Sequence, residues 1–208
     1  MVKIKICGIT NLEDALVSLF SGADAVGFVF YKKSPRYIVP LKARNISRIL
    51  PAGIKRVGVF VNEDFGAVEK IARLCALDML QFHGEESAGY CRKFRGYGII
   101  KVFPVKAGFE PAGISEYKGC ACLFDTYSRK LAGGTGKIFD WRLLKNLDKI
   151  KNPVFISGGL TCGNVRRAIE LFKPDWVDVS SGVEIRPGKK DIKKIKRFIK
   201  AVRTVDPA

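Results

Sequence analysis

Short apolar runs bounded by turn residues recur along this chain at intervals of roughly 20 to 33 residues, and this spacing constrains its fold more than any other feature. Eight such runs predict β-strands, at residues 2–7, 25–30, 56–61, 79–83, 99–103, 121–125, 154–157 and 176–180. Helical apolar spacing or helix-start residues occupy the segments between them, at residues 11–20, 41–50, 63–75, 85–94, 113–117, 141–147, 163–172 and 189–202. Each interval holds one strand, one helix and two loops, so the chain is predicted to repeat a βα unit.

Eight βα units within 208 residues leave little length for any other element. We therefore predict an α/β protein in which residues 1–208 form a single-domain (β/α)8 barrel, the TIM-barrel architecture. A doubly wound open sheet is the alternative, and it is disfavoured because no G-x-G-x-x-G motif follows the first strand.

Cys7 ends the first predicted strand, and a (β/α)8 barrel carries its active site at the C-terminal ends of its strands. Lys5 and Cys7 alternate with Ile4 and Ile6, so they are predicted to face the barrel interior. A free cysteine is most often a small buried apolar residue, but its place at the barrel mouth favours a functional role. We expect Lys5 to lower the thiol pKa and so to make Cys7 a usable base near neutral pH.

Asp125 ends the sixth predicted strand, and the period-2 alternation places it on the inward face with Leu123. A long loop follows it rather than a helix start, which favours function over a capping role. The first and sixth strands lie three steps apart around a closed ring of eight, so Cys7 and Asp125 are predicted to flank a substrate as an acid and base pair. Arg36, in the loop after the second strand, is either a solvated charge or a partner for a substrate carboxylate.

Glycine-containing motifs follow three of the strands. SGGL (157–160) and SSGV (180–183) follow the seventh and eighth strands, where such barrels build a phosphate cradle from backbone N–H groups. GGTGK (133–137) lacks the spacing and the Ser or Thr of a nucleotide-binding P-loop. We interpret it as a mobile loop that closes over the site.

The chain carries a net charge of +17, which favours an anionic partner. Nine basic residues fall from position 186 to 203, and the segment has helical apolar spacing with Phe198 as its single aromatic residue, so we expect a solvated helix face rather than an RNA-binding surface. The six cysteines lack metal-site spacing, and His83 is the single histidine, so neither a metal nor disulfides are expected. No signal peptide or membrane-length apolar run is present, which predicts a cytoplasmic protein without membrane contact.

Six motifs together resemble the phosphoribosylanthranilate isomerase family, and they occur in the family's order along essentially the whole chain. They are KICGIT (5–10), GFVF (27–30), SPR (34–36), QFHG (81–84), GGTG with FDW (133–136 and 139–141) and SGGL (157–160). The resemblance implies an Amadori rearrangement of N-(5-phosphoribosyl)anthranilate in tryptophan biosynthesis, without a cofactor. The partner is then a phosphorylated small molecule rather than nucleic acid, and the enzyme is a monomer or a homodimer.

The resemblance also implies roles for individual residues. Asp125 would be the general acid, Cys7 the general base and Arg36 the ligand of the anthranilate carboxylate. His83 and Asp178 are weaker candidates that either contact the substrate or orient their neighbours. The phosphate would be held by the loops containing Gly158, Gly159, Ser181 and Gly182.

Two other functions compete with this one. The related histidine-pathway isomerase performs the same rearrangement on a larger substrate with two phosphates, using an aspartate as base. Cys7 and the single short phosphate cradle argue against it. A basic RNA-binding scaffold would explain the charge, but it leaves the inward Cys7 and Asp125 and the paired glycine loops without a purpose.

Overall fold

A closed ring of eight parallel strands forms the centre of the protein, as the sequence predicted. The computed structural model describes residues 1–105, 111–126, 147 and 150–205. The strands are β1 (Lys3–Cys7), β2 (Ala25–Val29), β3 (Lys55–Phe60), β4 (Met79–Phe82), β5 (Gly98–Val105), β6 (Ala121–Thr126), β7 (Val154–Ile156) and β8 (Trp176–Val179), and they are hydrogen-bonded in chain order. Pairing of β8 with β1 closes the ring, with Lys5 opposite Asp178.

Two clusters of apolar side chains lie inside the barrel. Its lower part is filled by a cluster of inward side chains that includes Ala121 and Leu123 of β6, with Phe155 and Trp176 stacked 4.9 Å apart. Cys7 belongs to a second, smaller cluster above it. The alternation predicted for β1 and β6 is therefore confirmed.

Helices cover the outside of the ring. They are α1 (Leu12–Phe20), α2 (Pro40–Ile49), α3 (Phe65–Leu74), α4 (Ala88–Cys91), α5 (Val165–Phe172) and α6 (Ile192–Arg203), with a 3-10 helix at Pro111–Glu116. Asn11, Asp64, Ser87 and Asp191 each accept a backbone N–H bond at the start of a helix, which fixes where α1, α3, α4 and α6 begin. The predicted helix 141–147 lies outside the described residues except for its last position.

The helices predicted at 85–94 and 189–202 each begin three residues later in the structure, and both differences have a tertiary cause. The helix predicted at 85–94 shrinks to α4 because the Glu86 carboxylate turns inward and accepts bonds from Asn62 N and Gly84 N, at 2.8 and 2.9 Å. The helix predicted at 189–202 begins only at Ile192. The two residues before its Asp191 cap form β10 (Lys189–Lys190), antiparallel to β9 (Glu184–Arg186).

Three aspartates clamp pairs of strands at the N-terminal end of the barrel. Asp24, Asp78 and Asp175 immediately precede β2, β4 and β8. Their carboxylates accept the backbone N–H of Ile4, Arg56 and Val154 in β1, β3 and β7, at 2.8, 2.8 and 2.7 Å. Each aspartate N–H returns a bond to the carbonyl of the same residue. The face opposite the strand C-termini is thus specialised for stability.

We predict that Asp175→Ala lowers the free energy of unfolding by about 1–2 kcal/mol, because the Val154 N–H loses a charged acceptor. Urea unfolding followed by circular dichroism measures the change. Glu170→Ala, on the exposed side of α5, is the matched control and should change stability by less than about 0.5 kcal/mol. Equal changes in the free energy of unfolding for the two substitutions would contradict a stabilising role for the Asp175 hydrogen bonds.

Candidate active site

A pocket opens at the C-terminal ends of the strands and collects most of the residues singled out in the sequence. Cys7, Arg36, His83, Asp125 and Asp178 all line it. The other lining residues are Val29, Tyr31, Ser34, Val59, Val61, Gln81, Ser157 and Ser180. No group of three or more His, Cys, Asp or Glu side chains is arranged to hold a metal ion in the part of the chain that the structure describes.

Cys7 lies on the pocket wall with only 7% of its surface exposed. The absence of a side chain at Gly27 makes its position possible, because a Cβ there would lie 2.8 Å from Cys7 Sγ and 3.2 Å from Lys5 Cε. Burial raises the thiol pKa, while the Lys5 and Lys190 ammonium groups lower it. Lys5 thus acts in the expected direction, but desolvation outweighs it and the pKa of Cys7 remains above its ordinary value.

A buried chain of polar contacts runs from Lys5 across the barrel closure. Lys5 Nζ donates to Asp178 Oδ1 at 2.8 Å, and Ser157 Oγ donates to Asp178 Oδ2 at 3.3 Å. Lys5 is fully buried and Asp178 nearly so, so each charge needs the other. The pair links β1, two residues before Cys7, to Ser157, where the loop after β7 begins.

Asp125 lies at the end of β6, and His83 Nε2 is 3.5 Å from its Oδ2. Burial, and then the charge of Lys5, lower the pKa of His83 to about 4. The imidazole is therefore neutral at pH 7 and adds no positive charge to the pocket. Lys101, also buried, donates to Glu86 Oε2 at 2.9 Å and so anchors the loop that carries His83.

Arg36 is buried and already holds a carboxylate. Its Nε and Nη2 donate to Glu184 Oε1 and Oε2 at 2.9 and 2.6 Å. The sequence left open whether Arg36 is a solvated charge, and the structure excludes that alternative. Arg36 still lines the pocket, where the guanidinium N–H groups that Glu184 does not use can donate to a ligand.

The two glycine loops meet beside the pocket, directly after Ser157 and Ser180. Gly158 and Gly159 have φ of 85° and 67°, which L side chains rarely adopt. A Cβ on Gly182 would lie 1.9 Å from the Leu160 carbonyl oxygen, so only glycine permits this contact between the loops. Within the described chain, the N–H groups of Gly158, Gly159, Ser181 and Gly182 donate to no backbone or side-chain acceptor. Such a group of free N–H donors suits a phosphate.

Several polar residues of the site were missed at the sequence level. Gln81 Oε1 and Ser180 Oγ are buried, and neither has a hydrogen-bond partner among the residues that the structure describes. Gln81 carried a detectable signal, since a polar side chain stands on the inward face of an apolar strand, two residues before His83. The sequence around Glu184 and Lys190 contains no comparable signal. The predicted lid at 133–137 and the FDW motif at 139–141 lie outside the described residues.

Comparisons with known proteins point to one family. The family model described as N-(5'-phosphoribosyl)anthranilate (PRA) isomerase matches residues 4–201. An N-(5'-phosphoribosyl)anthranilate isomerase of Thermotoga neapolitana is 48% identical over 206 residues, which cover 98% of this chain and 99% of that protein.

Solved structures agree with the sequence comparison. A crystal structure of phosphoribosyl anthranilate isomerase in complex with reduced 1-(o-carboxyphenylamino)-1-deoxyribulose 5-phosphate has a TM-score of 0.85 at 46% identity. Monomers generated from the dimeric enzyme of Thermotoga maritima give a TM-score of 0.85, also at 46% identity. Each alignment covers 98% of this chain and 99% of the other.

We predict that Lys5→Met raises the pKa of Cys7 further, because the substitution removes the nearest cation that favours the thiolate. The pH dependence of iodoacetamide alkylation measures this pKa, in a Cys162→Ser background that removes the exposed thiol. Lys3→Met is the matched control, since Lys3 is exposed at the opposite end of β1, over the Trp176 ring. An unchanged alkylation profile in Lys5→Met would show that Lys5 does not tune the thiol.

Proposed function

The chain belongs to the N-(5'-phosphoribosyl)anthranilate isomerase family, and we propose that Cys7 and Asp125 are the general base and the general acid of the isomerisation that it catalyses in tryptophan biosynthesis. The observation that carries this assignment is their shared pocket. Both line it from strands three steps apart in the closed ring, so they reach a bound sugar from different sides.

The reaction is an internal redox exchange that needs no outside electron acceptor. Asp125 donates a proton to the furanose ring oxygen, the C1–O bond breaks, and the nitrogen lone pair forms an iminium. The Cys7 thiolate then removes the proton from C2, and the freed electron pair gives an enolamine. Tautomerisation moves the hydroxyl proton at C2 to C1 and produces the ketone. Proton exchange with solvent restores both groups, and the product is an isomer of the substrate.

The remaining pocket residues bind the two charged ends of the substrate. We assign the anthranilate carboxylate to Arg36 and the phosphate to the N–H groups of Gly158, Gly159, Ser181 and Gly182. The four N–H donors, which have no acceptor among the described residues, and the glycine-dependent contact of the two loops support the phosphate assignment. Gln81 Oε1 and Ser180 Oγ, which lack partners in the described structure, are suited to the sugar hydroxyls.

Asp178 and His83 support the reacting groups in this assignment. Asp178 compensates the buried charge of Lys5 and accepts a hydrogen bond from the Ser157 hydroxyl. Neutral His83 lies against Asp125, with its Nε2 3.5 Å from Asp125 Oδ2, and so limits the positions that the carboxyl can take. Direct contact of either residue with the substrate is compatible with their place on the pocket wall.

We also propose that residues 1–208 function as one domain in the cytoplasm, as a monomer or a homodimer. Its partner is a small phosphorylated molecule, and we propose no nucleic-acid partner. The crystal structure of monomers generated from the dimeric enzyme of Thermotoga maritima supports either assembly. None of the helices in the described ranges is long and apolar enough to span a bilayer.

We expect Cys7→Ser and Asp125→Asn each to lower kcat by about 10²–10⁴-fold, the usual contribution of a positioned acid or base. Loss of anthranilate fluorescence, with freshly generated phosphoribosylanthranilate, measures turnover. Cys162→Ser and Asp64→Asn are matched controls at exposed positions and should retain parental rates. Turnover that survives Cys7→Ser would reassign the base, and an inactive parent would direct attention to the histidine-pathway substrate.

The pH profile provides a separate check on the base. A general base must be deprotonated, and burial holds the pKa of Cys7 above its ordinary value, so kcat/KM of the parent should rise with pH from neutrality into the alkaline range. Cys7→Asp should move the rising limb to lower pH, because a carboxyl ionises more readily than a thiol. A rising limb at the same pH in both proteins would assign that limb to another group.

A further inference from the structure

Glu184 holds Arg36 in a fixed orientation at the pocket wall. The two side chains form a buried two-point contact, with Nε to Oε1 at 2.9 Å and Nη2 to Oε2 at 2.6 Å. The stem of Arg36 is fixed as well, because a Cβ on Gly8 would lie 2.7 Å from its Cδ, so the arginine packs directly on the glycine backbone. Held at stem and head, the guanidinium has one orientation.

This orientation determines which part of Arg36 faces a ligand. The contact with Glu184 uses the Nε and Nη2 edge. Among the described residues no acceptor engages Nη1, so Nη1 and the second Nη2 hydrogen remain for a ligand. These two donors form a parallel pair of the kind that matches a planar carboxylate.

Lys190 connects the Arg36–Glu184 pair to the C-terminal ends of β1 and β8. Its ammonium is buried and donates to the Cys7 carbonyl oxygen, to Ser180 O at 3.2 Å and to Glu184 Oε1 at 3.0 Å. These three acceptors use all three ammonium hydrogens. One side chain therefore joins the end of β1, the end of β8 and the carboxylate that holds Arg36.

The charge balance of this group favours an anionic ligand. Two cations, Arg36 and Lys190, surround one carboxylate. Although burial alone would raise the pKa of Glu184, the hydrogen bonds and charges of Arg36 and Lys190 bring it below its ordinary value, so the carboxylate stays ionised. Burial lowers the pKa of Lys190, and the contact with Glu184 opposes that shift. With Lys190 charged, the group has one net positive charge beside the pocket, where a ligand carboxylate would neutralise it.

We propose that Glu184 and Lys190 are positioning residues that select the aromatic carboxylate of the substrate. Glu184 orients Arg36 so that its free edge meets that carboxylate, and Lys190 fixes Glu184 relative to the base on β1 and the phosphate loop after β8. This inference rests on the proposed assignment of Arg36 to the anthranilate carboxylate, and it adds the two residues that make that assignment specific.

Two ligands that differ only in the carboxylate test the selection. We would measure calorimetrically the binding of reduced 1-(o-carboxyphenylamino)-1-deoxyribulose 5-phosphate and of its phenylamino counterpart, which lacks the carboxylate. The parent should prefer the first ligand. Glu184→Gln should weaken binding of the first ligand by about 10- to 100-fold, the value of a hydrogen bond to a charged group, and that of the second by less than about threefold.

Lys190→Met has a different expected signature, because Lys190 also holds the carbonyl groups of Cys7 and Ser180. It should weaken both ligands and lower kcat, whereas Glu184→Gln should chiefly raise KM. Lys189→Met, at the neighbouring position where the lysine binds Glu13 and Asp14, is the matched control and should leave both ligands and kcat unchanged. Loss confined to the carboxylate ligand in Lys190→Met, or no loss, would overturn the role given to Lys190.

Equal loss of both ligands in Glu184→Gln, or loss of neither, would overturn the role given to Glu184. If Glu184→Gln does not fold, Arg36→Lys tests the same contact, since lysine keeps the charge but offers no fixed edge. It should abolish the preference for the carboxylate ligand, and a retained preference would overturn the proposal. A parent that binds neither ligand would instead contradict the proposed site itself.

Discussion

Lys5 and Asp178 face each other where the last strand of the barrel meets the first, and the site depends on this buried ion pair. An ammonium without exposure to water is tolerated only beside a matching charge, and Asp178 stands directly opposite it in the sheet register. The closure of the ring is therefore also the electrostatic centre of the pocket. From there Lys5 favours the Cys7 thiolate and lowers the pKa of His83.

A set of buried charges surrounds this pair, and each member is held by at least two contacts. Lys101 with Glu86 fixes the loop after β4, and Arg36 with Glu184 fixes the loop after β2. Removing ionised groups from water is costly, so each pair stabilises the fold only while it stays intact. In return, the Arg36 guanidinium at the pocket wall is oriented before any ligand arrives, and such preorganised donors are what electrostatic catalysis requires.

The fold and the placement of Cys7 and Asp125 in one pocket could be predicted because they follow from short-range patterns. Alternation along β1 and β6 placed Cys7 and Asp125 on the inward face, and strand order placed them at one end of the barrel. Lys190 could not be found in this way. It stands in a basic, helix-like segment that predicts solvated side chains, and only the antiparallel pairing of β10 with β9 turns it inward. Glu184 and Glu86 are similar cases, since their partners lie on other strands or loops and local sequence does not indicate them.

The aspartate clamps divide the ring into two-strand units. Asp24 ties β2 to β1, Asp78 ties β4 to β3, and Asp175 ties β8 to β7, so each clamp lies within a pair that is consecutive along the chain. A chain interrupted between β2 and β3, or between β4 and β5, keeps every clamp inside one fragment. The junctions between pairs are thus the natural positions for new termini in a circularly permuted or split enzyme, at the N-terminal end of the barrel, where a break leaves the loops that carry Arg36 and His83 intact.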